Sequence, residues 1–269
     1  MNLRQLILIC SSVLLVSCSP YQKLLNSDDI SLKYKEAENY YNAGEHRKAN
    51  RLFEQVVPSY RGKPQAERVI FFFADTYYLN EDYFLAAYQF ENFVKTYPRS
   101  QRVEEARFKA AKAYYEVSPV YSLDQKDTNT AIEKLQLFMD SYPDSERTVE
   151  ANQMIAELQT KLEKKAFEIA KQYHTIRDYR ASIQSFDNFV GSFPGTKFRE
   201  EAMYYHFLSH YEIAVNSIRS KQLERLEELL ELHQKIIRYY PDTIFLEDLD
   251  NKINRVQNLL EGFDTLTTP

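Results

Sequence analysis

The sequence predicts an all-α chain of tandem helical hairpins. A short aromatic–proline string recurs along the chain, the apolar residues ahead of it step by 4 and 3, and glycine is scarce. The string reads Thr96-Tyr97-Pro98-Arg99-Ser100, Ser141-Tyr142-Pro143-Asp144-Ser145, Ser192-Phe193-Pro194-Gly195-Thr196 and Tyr239-Tyr240-Pro241-Asp242-Thr243, with a degenerate first copy at Ser59-Tyr60-Arg61-Gly62. Its aromatic positions lie 37, 45, 51 and 47 residues apart. Proline lacks an N–H and ends a helix. The Ser or Thr two residues on can accept from the free N–H groups that open the next helix.

Upstream of the strings, Ala86, Phe90 and Phe93 precede Pro98 with steps of 4, 3 and 5. Ala131, Leu135, Phe138 and Pro143 repeat the pattern, as do Ser182, Phe186, Phe189 and Pro194. Ala49, Phe53 and Val56 keep it without the Pro, and Leu229, His233, Ile236 and Pro241 keep it more weakly. Such steps place side chains on one helix face. The earlier helix of each unit supplies Ala37-x2-Tyr40, Ala74-x2-Tyr77, Ala111-x2-Tyr114 or Ala170-x2-Tyr173, a small residue for close approach and a ring to fill the gap. This A-x3-F…P string behind small-x2-Tyr resembles the tetratricopeptide repeat. The usual Trp is absent and the spacings exceed 34 residues, so the set is divergent. Five repeats cover about residues 30–260, and because each unit buries its apolar face only against its neighbours, a superhelical solenoid is expected.

Two irregularities interrupt the pattern. No Gly or Pro occurs from Asp144 to Val190, and Ala151, Ile155, Leu158, Leu162, Ala166, Ile169 and Tyr173 step by 3 or 4. This predicts one helix of about 30 residues, roughly 45 Å long at 1.5 Å per residue, joining repeats 1–3 (residues 30–143) to repeats 4–5 (residues 144–260). The turn inside the third repeat, Glu116 to Asp127, is about eight residues longer than its counterpart. Long turns on compact repeats are often functional, though a tolerated insertion reads the same way.

The N-terminus reads as a leader. Arg4 is the only charge ahead of an apolar run from Leu6 to Val16, too short to span a bilayer. The run ends in Leu15-Val16-Ser17-Cys18, which resembles the lipobox of bacterial lipoproteins. That resemblance implies a signal peptide at 1–17, acylation of Cys18 and a lipid-anchored linker at 18–29. Ser19 in place of Asp implies export to the outer membrane, and the lack of acid at 19–23 favours its periplasmic face. Cys10 then leaves with the leader, so the mature chain has no thiol for a disulfide, metal or nucleophile.

Composition narrows the function. The 269 residues are 44% hydrophobic and 27% charged, with net charge −5, Gly 5, Trp 0, Tyr 21 and Phe 17. No glycine pair has phosphate-loop spacing, and no basic block offers the counterion release that nucleic-acid binding uses. No cofactor or nucleic-acid partner is expected. His206 and His210 are four apart, but the string between them is not H-E-x-x-H, and packing histidines are the expected reading. The paired acids Glu104-Glu105, Glu200-Glu201 and Glu227-Glu228 point about 100° apart on a helix and cannot flank one bond as acid and base. An enzyme is the least expected class.

A lipobox, then Tyr21-Gln22-Lys23 and Asp28-Asp29, then five repeats with a lengthened turn in the third, resembles the BamD family of outer-membrane assembly lipoproteins. Ser118-Pro119-x-Tyr121-Ser122-Leu123-Asp124-Gln125 and Leu85-Ala86-Ala87-Tyr88-x-Phe90 resemble its Bacteroidetes versions. The resemblance implies a scaffold that binds the POTRA domains of a BamA-like barrel protein through its C-terminal repeats. Unfolded outer-membrane barrel proteins would be recognised nearer the N-terminal repeats. Other periplasmic repeat lipoproteins, organising cell-wall synthesis or division, stay open. A SusD-like uptake lipoprotein is disfavoured by length.

Candidate binding residues follow from helix geometry. One residue past each packing Tyr runs a second stripe: Tyr34, Glu38 and Tyr41; Phe71, Asp75 and Tyr78; Phe108, Lys112 and Tyr115. Residues at i, i+4 and i+7 share a face, and aromatics with polar tips suit a groove for an extended aromatic-rich segment. Rings packed between helices would read identically. For a partner surface the candidates are Tyr121, Asp124 and Gln125 in the lengthened turn and Arg177, Tyr179 and Arg180 in a polar turn, against the alternative of solvated charge.

Overall fold

The computed structural model describes residues 20–264, and every regular element there is helical. Cys18, the leader 1–17 and residues 265–269 of the expected C-terminal tail lie outside the described residues. Five hairpins follow in order: α2 (Ile30–Asn42) with α3 (His46–Tyr60), α4 (Ala66–Leu79) with α5 (Tyr83–Thr96), α6 (Val103–Val117) with α7 (Lys126–Ser141), α8 (Thr148–Thr175) with α9 (Tyr179–Ser192), and α10 (Arg199–Val215) with α11 (Arg219–Tyr239). A short α1 (Pro20–Leu25) precedes them and α12 (Leu246–Asp264) follows.

The chain divides into two compact units, one running up to Pro119 with Gln125–Ile155 and the other comprising Val120–Asp124 with Ala156 onward. The helix expected at about 30 residues is α8, with 28. The division falls inside α8, after the turn at 143/144 between the third and fourth repeats.

In the first unit the apolar positions of the repeat build the core. Ala49, Phe53, Ala86, Phe90, Phe93, Ala131 and Leu135 are all fully buried, and the small residues Ala37, Ala74 and Ala111 sit at the helix crossings with at most 1% exposure. Phe71 meets Phe90 and Phe93 edge-on, with ring centroids 5.7 and 5.3 Å away. Burying each such ring stabilises the unit by roughly 1.5–3 kcal/mol.

The second unit keeps the pattern through Phe186 and Phe189. Ser182 stands where the first three repeats carry Ala, and its hydroxyl donates to the Ala170 carbonyl at 3.1 Å. The Ser209 hydroxyl lies 3.0 Å from that of Ser182 and 2.9 Å from His174 Nδ1, so the buried polar atoms satisfy one another. Along α8 the stripe read from sequence holds at Ala151, Ile155 and Leu158, but farther on Phe167 and Ala170 are buried and Ile169 is 45% exposed. Aromatic volume decides this: the Phe167 ring fills the space beside Phe186, Phe189 and Phe198.

The recurring string works as expected and does more. Ser100, Ser145, Thr196 and Thr243 each accept, at 3.0–3.3 Å, from the backbone N–H two residues on. Three of these hydroxyls also donate back to the first helix of the preceding hairpin: Ser100 to Glu67 at 2.5 Å, Ser145 to Glu104 at 2.6 Å and Thr196 to Glu163 at 2.9 Å. One side chain thus opens a hairpin and ties it to the one before.

Turns within hairpins share a device too. Gly44, Glu81 and Arg177 adopt left-handed φ values of 77, 66 and 66°. The residue after each donates its N–H, at 2.9 Å, to the carbonyl of the packing tyrosine Tyr40, Tyr77 or Tyr173. This is the helix-ending closure that favours glycine.

Two expectations change at the ends. Residues 18–29 read as a linker, yet Tyr21, Leu24 and Leu25 of α1 pack on the first hairpin. The Lys33 ammonium, in a residue only 6% exposed, donates to the Leu25 carbonyl at 2.9 Å and to Gln55 at 2.6 Å. At the other end α12 runs past residue 260 and buries Leu249, Ile253 and Val256 against α10 and α11. It covers the apolar face that a sixth hairpin would otherwise cover.

Candidate functional site

In the first unit, side chains of successive first helices form a polar ladder. At its start the Tyr34 hydroxyl donates to Glu38 at 2.6 Å, and Arg68 of α4 pairs with Glu38 at 2.8 Å. Next, the Tyr41 hydroxyl donates to Asp75 Oδ2 at 2.5 Å while Lys109 of α6 donates to Asp75 Oδ1 at 2.6 Å. Lys109 also pairs with Glu105 one turn back at 3.1 Å. Then Lys112 reaches Glu150 on α8 at 2.6 Å. Buried charge is costly unless paired and hydrogen-bonded, and Asp75, 2% exposed, meets both conditions.

The members of the predicted stripe do different work. Phe71 and Phe108 are core residues, 2% and 6% exposed, and Asp75 is spent inside the ladder. These three are corrected from candidate contact residues to packing residues, because the space between first helices is filled by rings and an ion pair. Tyr34, Glu38, Tyr41, Tyr78, Lys112 and Tyr115 are half-buried and keep part of their surface in solvent. Tyr34 and Tyr41 stay neutral donors. Burial and the Glu38 hydrogen bond push Tyr34 up to about 12, burial and the Asp75 hydrogen bond push Tyr41 higher, and burial with nearby Glu116 raises Tyr78. Reading for aromatic stripes missed Arg68, Lys109 and Glu150. Glu105 and Lys109 at i, i+4 were a visible signal for part of the ladder.

The lengthened turn is built rather than loose. Gln125 is buried and accepts from the Thr128 hydroxyl at 2.8 Å, and Ser118 and Thr128 share a hydrogen bond of 2.6 Å. In the second unit Lys164 lies over the Tyr121 ring at 4.4 Å and Lys165 donates to the Leu123 carbonyl at 2.5 Å. Tyr121 and Ser122 line a groove of about 410 Å³ with Lys165, Glu168, Ile169 and Gln172. Gln125 is thus a structural residue of the turn, while Tyr121 faces this groove. Asp124 is exposed in the turn between them.

At the polar turn, Arg177 takes the left-handed position, the Tyr179 ring lies 5.4 Å from His174, and Arg180 is exposed. The turn does not bring Arg177, Tyr179 and Arg180 into one pocket with the groove-lining residues.

The His206 and His210 rings lie tilted against each other with centroids 4.6 Å apart, His206 Nε2 lying 3.1 Å from Asp187 and His210 Nδ1 3.6 Å from Glu228. Burial holds both imidazoles below their ordinary range, and for His206 the neighbouring His210 adds to the effect. Among the described residues no three His, Cys, Asp or Glu side chains are grouped to hold a metal ion.

The family described as YfiO, an outer membrane lipoprotein, matches residues 27–186 and 163–265, nearly all of the described chain. The chain belongs to this family. BamD is the same family, so the resemblance read from the lipobox and the repeats is confirmed at family level. No curated protein matches the chain. Among solved structures, a kinesin-light-chain-type protein of Podosopora anserina with nearly identical TPR-like repeats is 17% identical, covering 77% of this chain and 95% of its own, with a TM-score of 0.34. The TPR2AB domain of yeast Sti1, solved in a complex with pHSP90, is 12% identical over 85% of this chain and 98% of its own, with a TM-score of 0.38. Scores this low carry no weight for function, and the repeat class of this YfiO member rests on its own hairpins. No helix among its described residues is long and apolar enough to cross a membrane.

Proposed function

We propose that this YfiO-family protein is a scaffold of the outer-membrane β-barrel assembly machinery. It binds a BamA-like barrel protein through POTRA domains and holds unfolded outer-membrane proteins for insertion. In this reading acylated Cys18 tethers it to the periplasmic face of the outer membrane, and its role is binding rather than catalysis. The observation that carries the reading is the family match over nearly the whole mature chain. The ladder helices support it by presenting half-buried tyrosines beside Glu38 and Lys112, surface that can meet an extended chain through both apolar and polar contacts. The lengthened turn with its Tyr121 groove, and the turn bearing Arg177, Tyr179 and Arg180, are the partner-side candidates.

Affinity capture of the chain from membranes in mild detergent tests the proposal. Recovery of a barrel protein bearing POTRA domains is the expected result. Recovery of cell-wall or division proteins alone would reject it.

A further inference from the structure

We infer that the basic ridge of α3 beside α1 is a docking face for anionic lipid headgroups, acting with the acyl chains as a second membrane attachment. The inference rests on the lipid-anchor reading of Cys18 and adds to it which face of the protein meets the bilayer.

Tether length makes the first argument. Only Ser19 separates Cys18 from Pro20, where α1 begins. Two residue steps span at most about 7 Å, less than the Debye length of about 8 Å at physiological salt. Nor does α1 swing free. The Tyr21 hydroxyl donates to the Lys48 carbonyl of α3 at 3.0 Å, the Tyr21 ring meets Tyr40 edge-on at 5.4 Å, and Lys33 holds the Leu25 carbonyl at the helix end. Acyl chains attached at Cys18 therefore bring the α1–α3 surface within electrostatic reach of the headgroups.

Charge makes the second. Tyr21, Arg47, Lys48, Asn50 and Arg51 line an open groove of about 400 Å³ with Asn80 and Asp82 of the next turn. Arg47 and Arg51 are exposed one helical turn apart, and no carboxylate pairs with either among the described residues. Lys48 is partly neutralised by Glu45 and lies over the Tyr21 and Tyr40 rings at 5.7 and 5.0 Å. Asp82 is the acid inside the groove. In a chain of net charge −5, two unpaired guanidiniums next to the lipid attachment point fit phosphate-bearing headgroups. A basic patch commonly supplements acyl chains in stable anchoring.

The test uses the full mature chain with Cys18→Ser, which cannot be acylated, in sedimentation with phosphatidylcholine vesicles with and without phosphatidylglycerol. Salt-sensitive binding to the anionic vesicles only is expected, with Arg47→Glu plus Arg51→Glu weakening it on the order of tenfold to a hundredfold. Lys221→Glu plus Arg238→Glu, both exposed and on α11, makes the same change in net charge and should leave binding intact. No binding by the parent chain, or equal loss in both double variants, overturns the inference and leaves the ridge to an acidic protein partner. Labelled-fatty-acid incorporation at Cys18 in cells is scored separately. Missing label with charge-dependent vesicle binding sinks the anchor and keeps the face, whereas label without charge-dependent binding sinks the face alone.

Discussion

At the residue scale, position rather than chemical type decides what a side chain does in this protein. Tyr41 and Tyr78 occupy the same register in successive repeats, yet the Tyr41 hydroxyl is committed to buried Asp75 while the Tyr78 ring meets Tyr83 edge-on. Tyr41→Phe should destabilise the first unit by about 1–2 kcal/mol in chemical denaturation, because a hydrogen bond to a charged acceptor is lost while Asp75 stays buried. The left-handed turn positions give a second outcome. Glu81 carries a strain that Gly44 avoids, so Glu81→Gly should raise stability by up to about 1 kcal/mol and Gly44→Val should lower it by at least as much. Thermal melts of both variants check the pair. The buried imidazoles give a third. His206 and His210 titrate below their unfolded value, so the unfolded chain binds protons first as pH falls. Stability of the second unit is full above about pH 6.5 and declines below it, by up to about 1.4 kcal/mol per pH unit for each proton. In His206→Gln that decline, followed by denaturation at stepped pH, should be shallower.

At the element scale, the repeat string joins two tasks in one residue. Ser145 caps the approach to α8 and also reaches Glu104 on α6. Ser145→Ala should cost about 1 kcal/mol or more, measurable in the same denaturation, whereas Ser141→Ala, whose hydroxyl only back-bonds to Leu137, should cost less. The sequence announced the capping half of this device, since Pro followed by Ser or Thr has a local meaning. It could not announce the Glu67, Glu104 and Glu163 partners, which lie more than thirty residues upstream and come within reach only once hairpins stack. The same limit applies to α1. Six residues have no periodicity to read, and their helix is held by Lys33 and the rings of the first hairpin.

On the scale of the whole molecule, each hairpin is stabilised by its neighbours, so damage should stay local. Leu249→Asp puts a charge into a fully buried site on α12. Hydrogen exchange should then lose protection across α10–α12 and keep it across α2–α5. Protection lost evenly along the chain would contradict a modular solenoid. The five hairpins, the long α8 and most residues of the inner faces were legible beforehand, because periodicity at 3 and 4 is a property of neighbours in sequence; the far half of α8, where Phe167 and not Ile169 is buried, was the exception. The candidate stripe was legible as a spacing and illegible as a site. Nothing in the spacing separates Phe71, at 2% exposure, from half-buried Tyr34 at the same register.

The helix ends marked by the aromatic–proline strings, the capping residues after them, the family resemblance and the order of the repeats were thus determined by the sequence alone, since each depends on residues a few places apart. Tertiary structure alone decided that α1 is docked instead of a free linker, that α12 closes the last face, and that Asp75 is held between Tyr41 and Lys109. In each case the deciding energy is a contact between distant residues, offsetting desolvation or ordering that no short window of sequence can register.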